Sequence, residues 1–379
     1  MPLIMIDNEV DAAPPPAAPA RRAAIRLEMQ RLRPHLHAPA SPLRHFPGPS
    51  PVPYHRISFP MRWWRTIAAT AAIVAGAYFA VPLLLNLLVR ALPDRQLPIL
   101  GGGTAMAVSL FKIAMFIPAV LLAARFIERR RPGNVSSVAG RLRWPWLGLC
   151  LAAALASQVV LFVELFVLVL VFSPEMPAAA DAALPARQEP WEYVLAGGLI
   201  ILVLGVFQSA AEEYLTRGWL LQAIRFASPW PGIIVQAVIW TALHGTGPGP
   251  GSVGLLVYGL IIGWLTVHTG GLEAGIAKHV VHNGTLFTLQ ILISGLTPLD
   301  PSQSAADAVG WIGTAAWITS TAFYVGVVVI LTKALHQWRD HSGPPTWAPP
   351  GFAITTGETN ADAAPVPQEP ASFVHQPAI

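Results

Sequence analysis

Glu212-Glu213-Tyr214-Leu215-Thr216-Arg217 sets two adjacent carboxylates and a guanidinium inside a long apolar run. At the centre of a bilayer each such charge costs about 3 kcal/mol or more unless it meets protein, water or a counter-charge, so ionisable residues placed there are candidates for chemistry. Two further polar clusters follow in the next apolar segments, Trp240-Thr241-Ala242-Leu243-His244 and His279-Val280-Val281-His282-Asn283. Together they hold a base, an imidazole and further hydrogen-bond donors. This is the equipment for activating a water and stabilising a developing oxyanion.

Helical spacing separates the two carboxylates into roles. Glu213 and Arg217 are four residues apart, on one face of a helix, with the carboxylate on the favourable N-terminal side of the cation. Glu212 and Arg217 are five apart, a rotation of about 140° at 3.6 residues per turn, and do not meet along one helix. Glu213 is therefore expected to be held and neutralised by Arg217. Glu212 remains available, and a carboxylate withdrawn from water is a stronger base. On a soluble helix the same pattern would more simply lock two helices together.

The turn Ser228-Pro229-Trp230-Pro231-Gly232 is rich in breakers and separates the first two clusters. Position 228 lies 16 residues after Glu212 and 16 before His244. In an antiparallel hairpin that symmetry brings carboxylate and imidazole to similar depth, where they can share one water. His279 and Asn283, four apart, share a face and can present two donors to one point, the requirement for an oxyanion hole. His282 is left as a supporting neighbour, and Gln208, four residues before Glu212, as a possible hydrogen-bond partner for it.

The elements that must position these residues follow from composition. Of 379 residues, 54% are hydrophobic and 12% charged, against roughly 25% charged in a soluble protein. Apolar stretches of about 20 residues recur, which predicts an all-α, polytopic membrane bundle. Eight spans are expected, at about 64–90, 104–127, 144–172, 192–224, 231–246, 252–269, 272–294 and 310–333. The fourth is long enough that it must tilt, kink or protrude. Residues 1–60 form a basic arm rich in Pro and Ala, and 342–379 a similar tail; both are expected to be disordered, flanking a bundle over 61–341. The arm carries no recognition pattern for nucleic acid and suits an anionic membrane surface. The single cysteine, Cys150, excludes an intramolecular disulfide framework and sits as a small hydrophobe in an apolar run. Lys112 and Glu164 are expected to pair or to line an opening, while His268, Glu273 and Lys278 are expected to snorkel from span ends.

The order Glu-Glu-x-x-x-Arg, aromatic-x-x-x-His, His-x-x-x-Asn over about residues 192–294 resembles the CPBP family. That family holds the type II CAAX prenyl endopeptidases and the bacteriocin-processing and self-immunity proteins. The resemblance implies that Glu212 activates a water with His244. It implies that His279 and Asn283 form the oxyanion hole, with Glu213 and Arg217 as the supporting pair. Trp240 stands where the family usually has Phe. The implied activity is intramembrane endopeptidase action on a peptide or protein substrate at the lipid bilayer. A non-catalytic immunity or scaffold protein using the same cavity is the alternative. A proton-coupled transporter would show internal repeats, and none are visible. Metal-free glutamate chemistry is favoured, with no cofactor. Members of the family are often described as metalloproteases, and if zinc were bound here its ligands would be His244, His279 and Glu212, without an HExxH motif.

Basic residues set the orientation. Arg56, Arg62 and Arg65, then Arg129 to Arg143, then Arg225, then Lys333 and Arg339 fall on one side when both termini are cytoplasmic. The composition suits a bacterial plasma membrane. In a Cys150→Ala background, cysteines introduced at Leu97 and Asp181 should be labelled by an impermeant reagent from the face opposite to a cysteine at Arg141. Labelling of positions 141 and 181 from one face would overturn the eight-span arrangement.

Overall fold

The computed structural model describes residues 52–58, 62–92, 94, 97, 99–172, 190–224, 226–296 and 305–336. Most of the basic arm and all of the C-terminal tail expected from composition lie outside these residues.

Each expected span is occupied by a helix. They are α1 (Trp63–Arg90), α2 (Gly101–Ile127), α3 (Trp144–Phe172), α4 (Trp191–Ala223), α5 (Trp230–Leu243), α6 (Pro250–Thr269), α7 (Glu273–Ser294) and α8 (Ala305–His336). The fold is an all-α membrane bundle. Six of these helices, α1, α2, α3, α4, α6 and α8, are long and apolar enough to cross a bilayer. Length and composition thus support six of the eight expected crossings. At 14 residues, α5 reaches only about 21 Å at 1.5 Å per residue, short of a hydrocarbon core. Helix α7 begins with Glu273 and carries Lys278, His279, His282 and Asn283 along its length.

The bundle turns its apolar surface outward and its polar residues inward. On α4, Leu195, Leu199, Val203 and Phe207 are exposed, while Gln208, Ser209 and Glu213 are buried. That is the inverse of a soluble helix, and it fits a lipid-facing exterior with backbone and polar groups satisfied inside. Exposed tryptophans mark helix starts: Trp63 and Trp64 on α1, Trp144 on α3, Trp191 on α4 and Trp230 on α5. Indoles favour the membrane–water interface because ring and N–H want different solvents.

Helix α4 packs against α2 and α7, α5 against α6, and α8 against α3 and α6. The α5–α6 contact depends on small residues. A Cβ at Gly259 would meet the Ala237 Cβ at 3.0 Å, and one at Gly263 would meet the Gln236 amide at 2.5 Å. This four-residue spacing of glycines lets the backbones approach closely. The approach allows Gln236 Nε2 to donate across the interface to the Gly259 carbonyl at 2.9 Å. Long α4 is not uniform: its segment Tyr214–Leu220 winds as a π-helix, as do Val74–Ala80 in α1 and Ala123–Ile127 in α2. The wider turn begins directly after Glu213, and this is how the length of α4 is partly absorbed.

The start of α7 is clamped from the segment before α3. Leu272 N–H donates to the Ser136 carbonyl and Val138 N–H to the Gly270 carbonyl, both at 2.9 Å. Arg143 meets Glu273 through Nε–Oε1 at 2.9 Å and Nη2–Oε2 at 2.7 Å. Both side chains are sealed, at 1% and 0% exposure. The snorkelling expected of Glu273 and Lys278 is thereby overturned: Lys278 is fully buried and donates to Ser157 Oγ at 2.9 Å. Each finds a partner elsewhere in the chain, Glu273 on the segment before α3 and Lys278 on α3, which removes the need to reach water. His268 remains exposed and stacks on Trp264, ring centroids 4.9 Å apart. Lys112 and Glu164 do not pair; Lys112 Nζ donates to Asn86 Oδ1 at 3.3 Å and Glu164 accepts from Thr319 Oγ1 at 2.7 Å. Cys150 is buried as expected.

Replacing Glu273 by alanine leaves Arg143 as a buried, unpaired charge and should destabilise the detergent-solubilised protein by about 3–5 kcal/mol. Thermal unfolding followed by fluorescence should show this, with much of the loss recovered in the double variant Arg143→Met/Glu273→Leu. An unchanged melting curve for Glu273→Ala would show that the clamp does not hold α7.

Candidate active site

The centre of the cluster is Glu213, fully buried near the end of the α-helical part of α4. Its Oε1 faces Arg217 Nη1 at 3.3 Å, one turn along the same helix. It also accepts from His279 Nδ1 at 2.9 Å, across the interface with α7. A carboxylate can only accept, so His279 carries a proton on Nδ1. The close approach of α7 requires Gly275, one turn before His279: a Cβ there would come within 2.6 Å of Glu213 Oε2. Arg217 is held from other sides as well. Its guanidinium lies 4.5 Å from the Trp240 ring centroid and donates to Thr216 Oγ1 at 2.9 Å. A cation over the indole face gains electrostatic attraction in a site without bulk water.

Glu212 points elsewhere, as helical spacing requires. Its side chain is 15% exposed. One oxygen accepts from the Gln208 amide and Oε2 from the Trp240 indole N–H at 2.7 Å. His279 Nε2 lies 3.7 Å from the same Oε2. One imidazole thus stands between a sealed carboxylate and a partly open one.

Glu212 lines a cavity of about 550 Å³ with Thr216, Trp240 and His244 on one side. The other side is supplied by α1 and α2, through residues that include Tyr78, Ser109, Lys112 and Phe116. Two π-helical stretches border it, contributing Ala77 and Tyr78 from α1 and Leu215 and Thr216 from α4. Such departures from α geometry are frequent at functional sites.

His244 closes α5 and is exposed. Its Nδ1 meets the Trp240 carbonyl at 2.8 Å. A carbonyl oxygen accepts only, so Nδ1 carries the proton and the neutral ring keeps Nε2 as an acceptor. The ring also packs edge-on against Trp240, centroids 4.6 Å apart. His244 shares the cavity with Glu212 but no direct hydrogen bond.

Asn283 lies one turn beyond His279 on α7, and its amide donates to Gln208 Oε1 at 3.1 Å. A chain therefore runs from Asn283 through Gln208 to Glu212. Both expected oxyanion donors lie on one face of α7, and both are engaged by α4 rather than by the open cavity. His282 stacks on Trp317, centroids 5.2 Å apart. The fold thus joins Glu212, Glu213, Arg217, His279 and Asn283 in one network and attaches His244 to it through Trp240. Sequence reasoning anticipated Gln208 and treated Trp240 only as an aromatic. The missed signal was its single N–H, which must find an acceptor when buried.

Among the described residues no group of three or more His, Cys, Asp or Glu side chains is placed to hold a metal ion. His279 Nδ1 meets Glu213 and His244 Nδ1 a backbone carbonyl, contacts of the kind that also orient a metal-ligating imidazole, while both Glu212 oxygens accept from neutral donors.

Exchange of Glu213 for glutamine strands Arg217 in a sealed site, a loss of about 3–5 kcal/mol. The same exchange at Glu212 removes a charge whose hydrogen-bond donors are a neutral amide and a neutral indole. Thermal melts of the two variants should therefore differ, with Glu213→Gln much the less stable. Equal melting temperatures would contradict this division of roles.

No curated protein and no solved structure matches the chain. Residues 195–285 match the family model described as "Type II CAAX prenyl endopeptidase Rce1-like". This stretch, about a quarter of the chain, runs from α4 into α7 and contains all three motifs. The stretch that carries the site is accordingly a domain of the CPBP/CAAX protease family, of the Rce1-like kind.

Proposed function

We propose that the protein is an intramembrane endopeptidase that hydrolyses a peptide bond near the membrane surface, with Glu212 as general base. One observation carries this reading: of two adjacent carboxylates, Glu213 is sealed and ion-paired while Glu212 opens to a cavity shared with His244. Glu212 takes a proton from a water held against it and against the Nε2 acceptor of His244. The resulting hydroxide attacks the scissile carbonyl carbon. The negative charge developing on the carbonyl oxygen is met by the Asn283 amide and by Nε2–H of His279 in its doubly protonated form, whose Nδ1–H stays on Glu213. Collapse of the tetrahedral intermediate breaks the C–N bond, and the proton held at Glu212 passes to the leaving amine.

In the unliganded arrangement the Asn283 amide is directed to Gln208. The substrate oxyanion would replace Gln208 Oε1 as its acceptor, in keeping with catalytic hydrogen bonds that align only once substrate is bound. Glu213 and Arg217 serve by fixing His279 and the Trp240 ring around Glu212. The chemistry asks for no metal, because the carbonyl is polarised by hydrogen bonds. The protein is an integral membrane protein acting on a peptide or protein substrate at the bilayer. The distribution of basic residues supports cytoplasmic termini, and the composition suits a bacterial plasma membrane.

Glu212→Gln should abolish peptide cleavage by protein reconstituted in liposomes, with little change in melting temperature. Asn283→Ala should lower kcat by ~10²–10³ with a smaller change in KM, as expected for a donor used mainly in the transition state. Activity should survive exhaustive chelation. A zinc enzyme would show the reverse pattern, with activity lost on chelation and restored by zinc. A biological effect retained by Glu212→Gln would favour a binding or immunity role for the same cavity.

A further inference from the structure

Lys112 lies near the middle of α2 and lines the same cavity as Glu212. The cavity is also walled by Tyr78, Pro82, Phe116, Leu215 and Leu243. Its hydrogen-bond partner is the neutral Asn86 Oδ1 at 3.3 Å. Among the described residues no carboxylate comes within ion-pairing distance of it. The more deeply buried cations of the bundle are differently placed: Arg143, Arg217 and Arg130 each meet a glutamate, and Lys278 is sealed against Ser157. An ammonium held in an apolar-walled opening inside a membrane helix is costly unless an anion joins it there. Helices α1 and α2, which supply it, lie outside residues 195–285, so this wall belongs to the part of the chain that the family match does not reach.

We infer that Lys112 is a specificity-determining residue that binds a carboxylate of the substrate while the scissile bond lies at Glu212 and His244. This rests on the endopeptidase reading above. The ligand group is a carboxylate, carried either by the substrate's C-terminus or by an acidic side chain. The apolar walls of the cavity take the uncharged part of the peptide that separates that carboxylate from the scissile bond.

The test uses full-length protein in liposomes and three matched quenched peptides. One ends in a free carboxylate, one in an amide with no acidic residue, and one in an amide with a single glutamate beyond the scissile bond. The quantity read is the ratio of kcat/KM for each acidic peptide to that for the neutral amide. Wild type should favour one acidic form by about 10- to 100-fold, as a charged hydrogen bond implies; Lys112→Met should bring the ratio to within about twofold, and Lys112→Arg should restore it. The favoured form identifies the source of the carboxylate. A wild-type enzyme indifferent to the acid, or a ratio unchanged in Lys112→Met, overturns the assignment. Binding of the same peptides to Glu212→Gln and to Glu212→Gln/Lys112→Met, followed by thermophoresis, reads the ratio without turnover. Absence of cleavage together with a Lys112-dependent binding ratio would count against the endopeptidase reading alone.

Discussion

The buried carboxylate of Glu213 is the constraint around which the rest is arranged. It has no access to water, so its charge must be answered within the protein, by Arg217 along α4 and by His279 from α7. Answering it sets the distance between these helices, and Gly275 is needed so that α7 can come close enough. Arg217 in turn lies over the Trp240 ring and so helps fix α5. Trp240 donates to Glu212, and its carbonyl accepts from His244. A single sealed ion pair therefore propagates into the placement of each residue around the open carboxylate.

Such an arrangement is affordable only because the bundle is sorted by polarity in the sense opposite to a soluble protein. Its exterior is apolar, and Arg143, Glu273, Lys278 and Gln236 are all buried within it. In this setting a polar group without a partner is expensive, and each partner found contributes to the register of two helices. The clamp between Arg143 and Glu273 sets the start of α7, about one and two-thirds turns before His279. The interhelical bond from Gln236 to the Gly259 carbonyl sets α5 one turn before Trp240. Both lie outside the candidate site and help to position it.

The two adjacent glutamates illustrate how one sequence step produces different environments. Neighbouring positions on a helix differ by about 100° in direction. Glu213 is turned into the α4–α7 interface and Glu212 into the opening bounded by α1, α2 and α5. The π-helical turn begins immediately after them, so the residues that continue the cavity wall, Leu215 and Thr216, come from its wider winding. The cavity itself is composite. The domain that carries the three motifs supplies Glu212 and His244, and the preceding helices supply the wall that holds Lys112.

What the sequence determined by itself was local or one-dimensional. Apolar runs of spanning length foretold the helices, because hydropathy over about 20 residues suffices to place a chain in a bilayer. Spacing along one helix foretold that Glu213, not Glu212, would face Arg217, and that His279 and Asn283 would share a face. The length and polarity of each helix, and hence which of them qualify as spans, were also present in the sequence. Tertiary structure decided everything that depends on which helices touch. It showed that Glu273 and Lys278 are buried with partners from the α3 side, that Trp240 donates to Glu212, that Asn283 is turned to Gln208, and that α1 and α2 complete the cavity. The physical reason is that hydrogen bonds and ion pairs between helices depend on interaxial distance and rotation. Those are set jointly by small residues such as Gly275 and Gly259 and by buried charges, and no window of one helix contains that information.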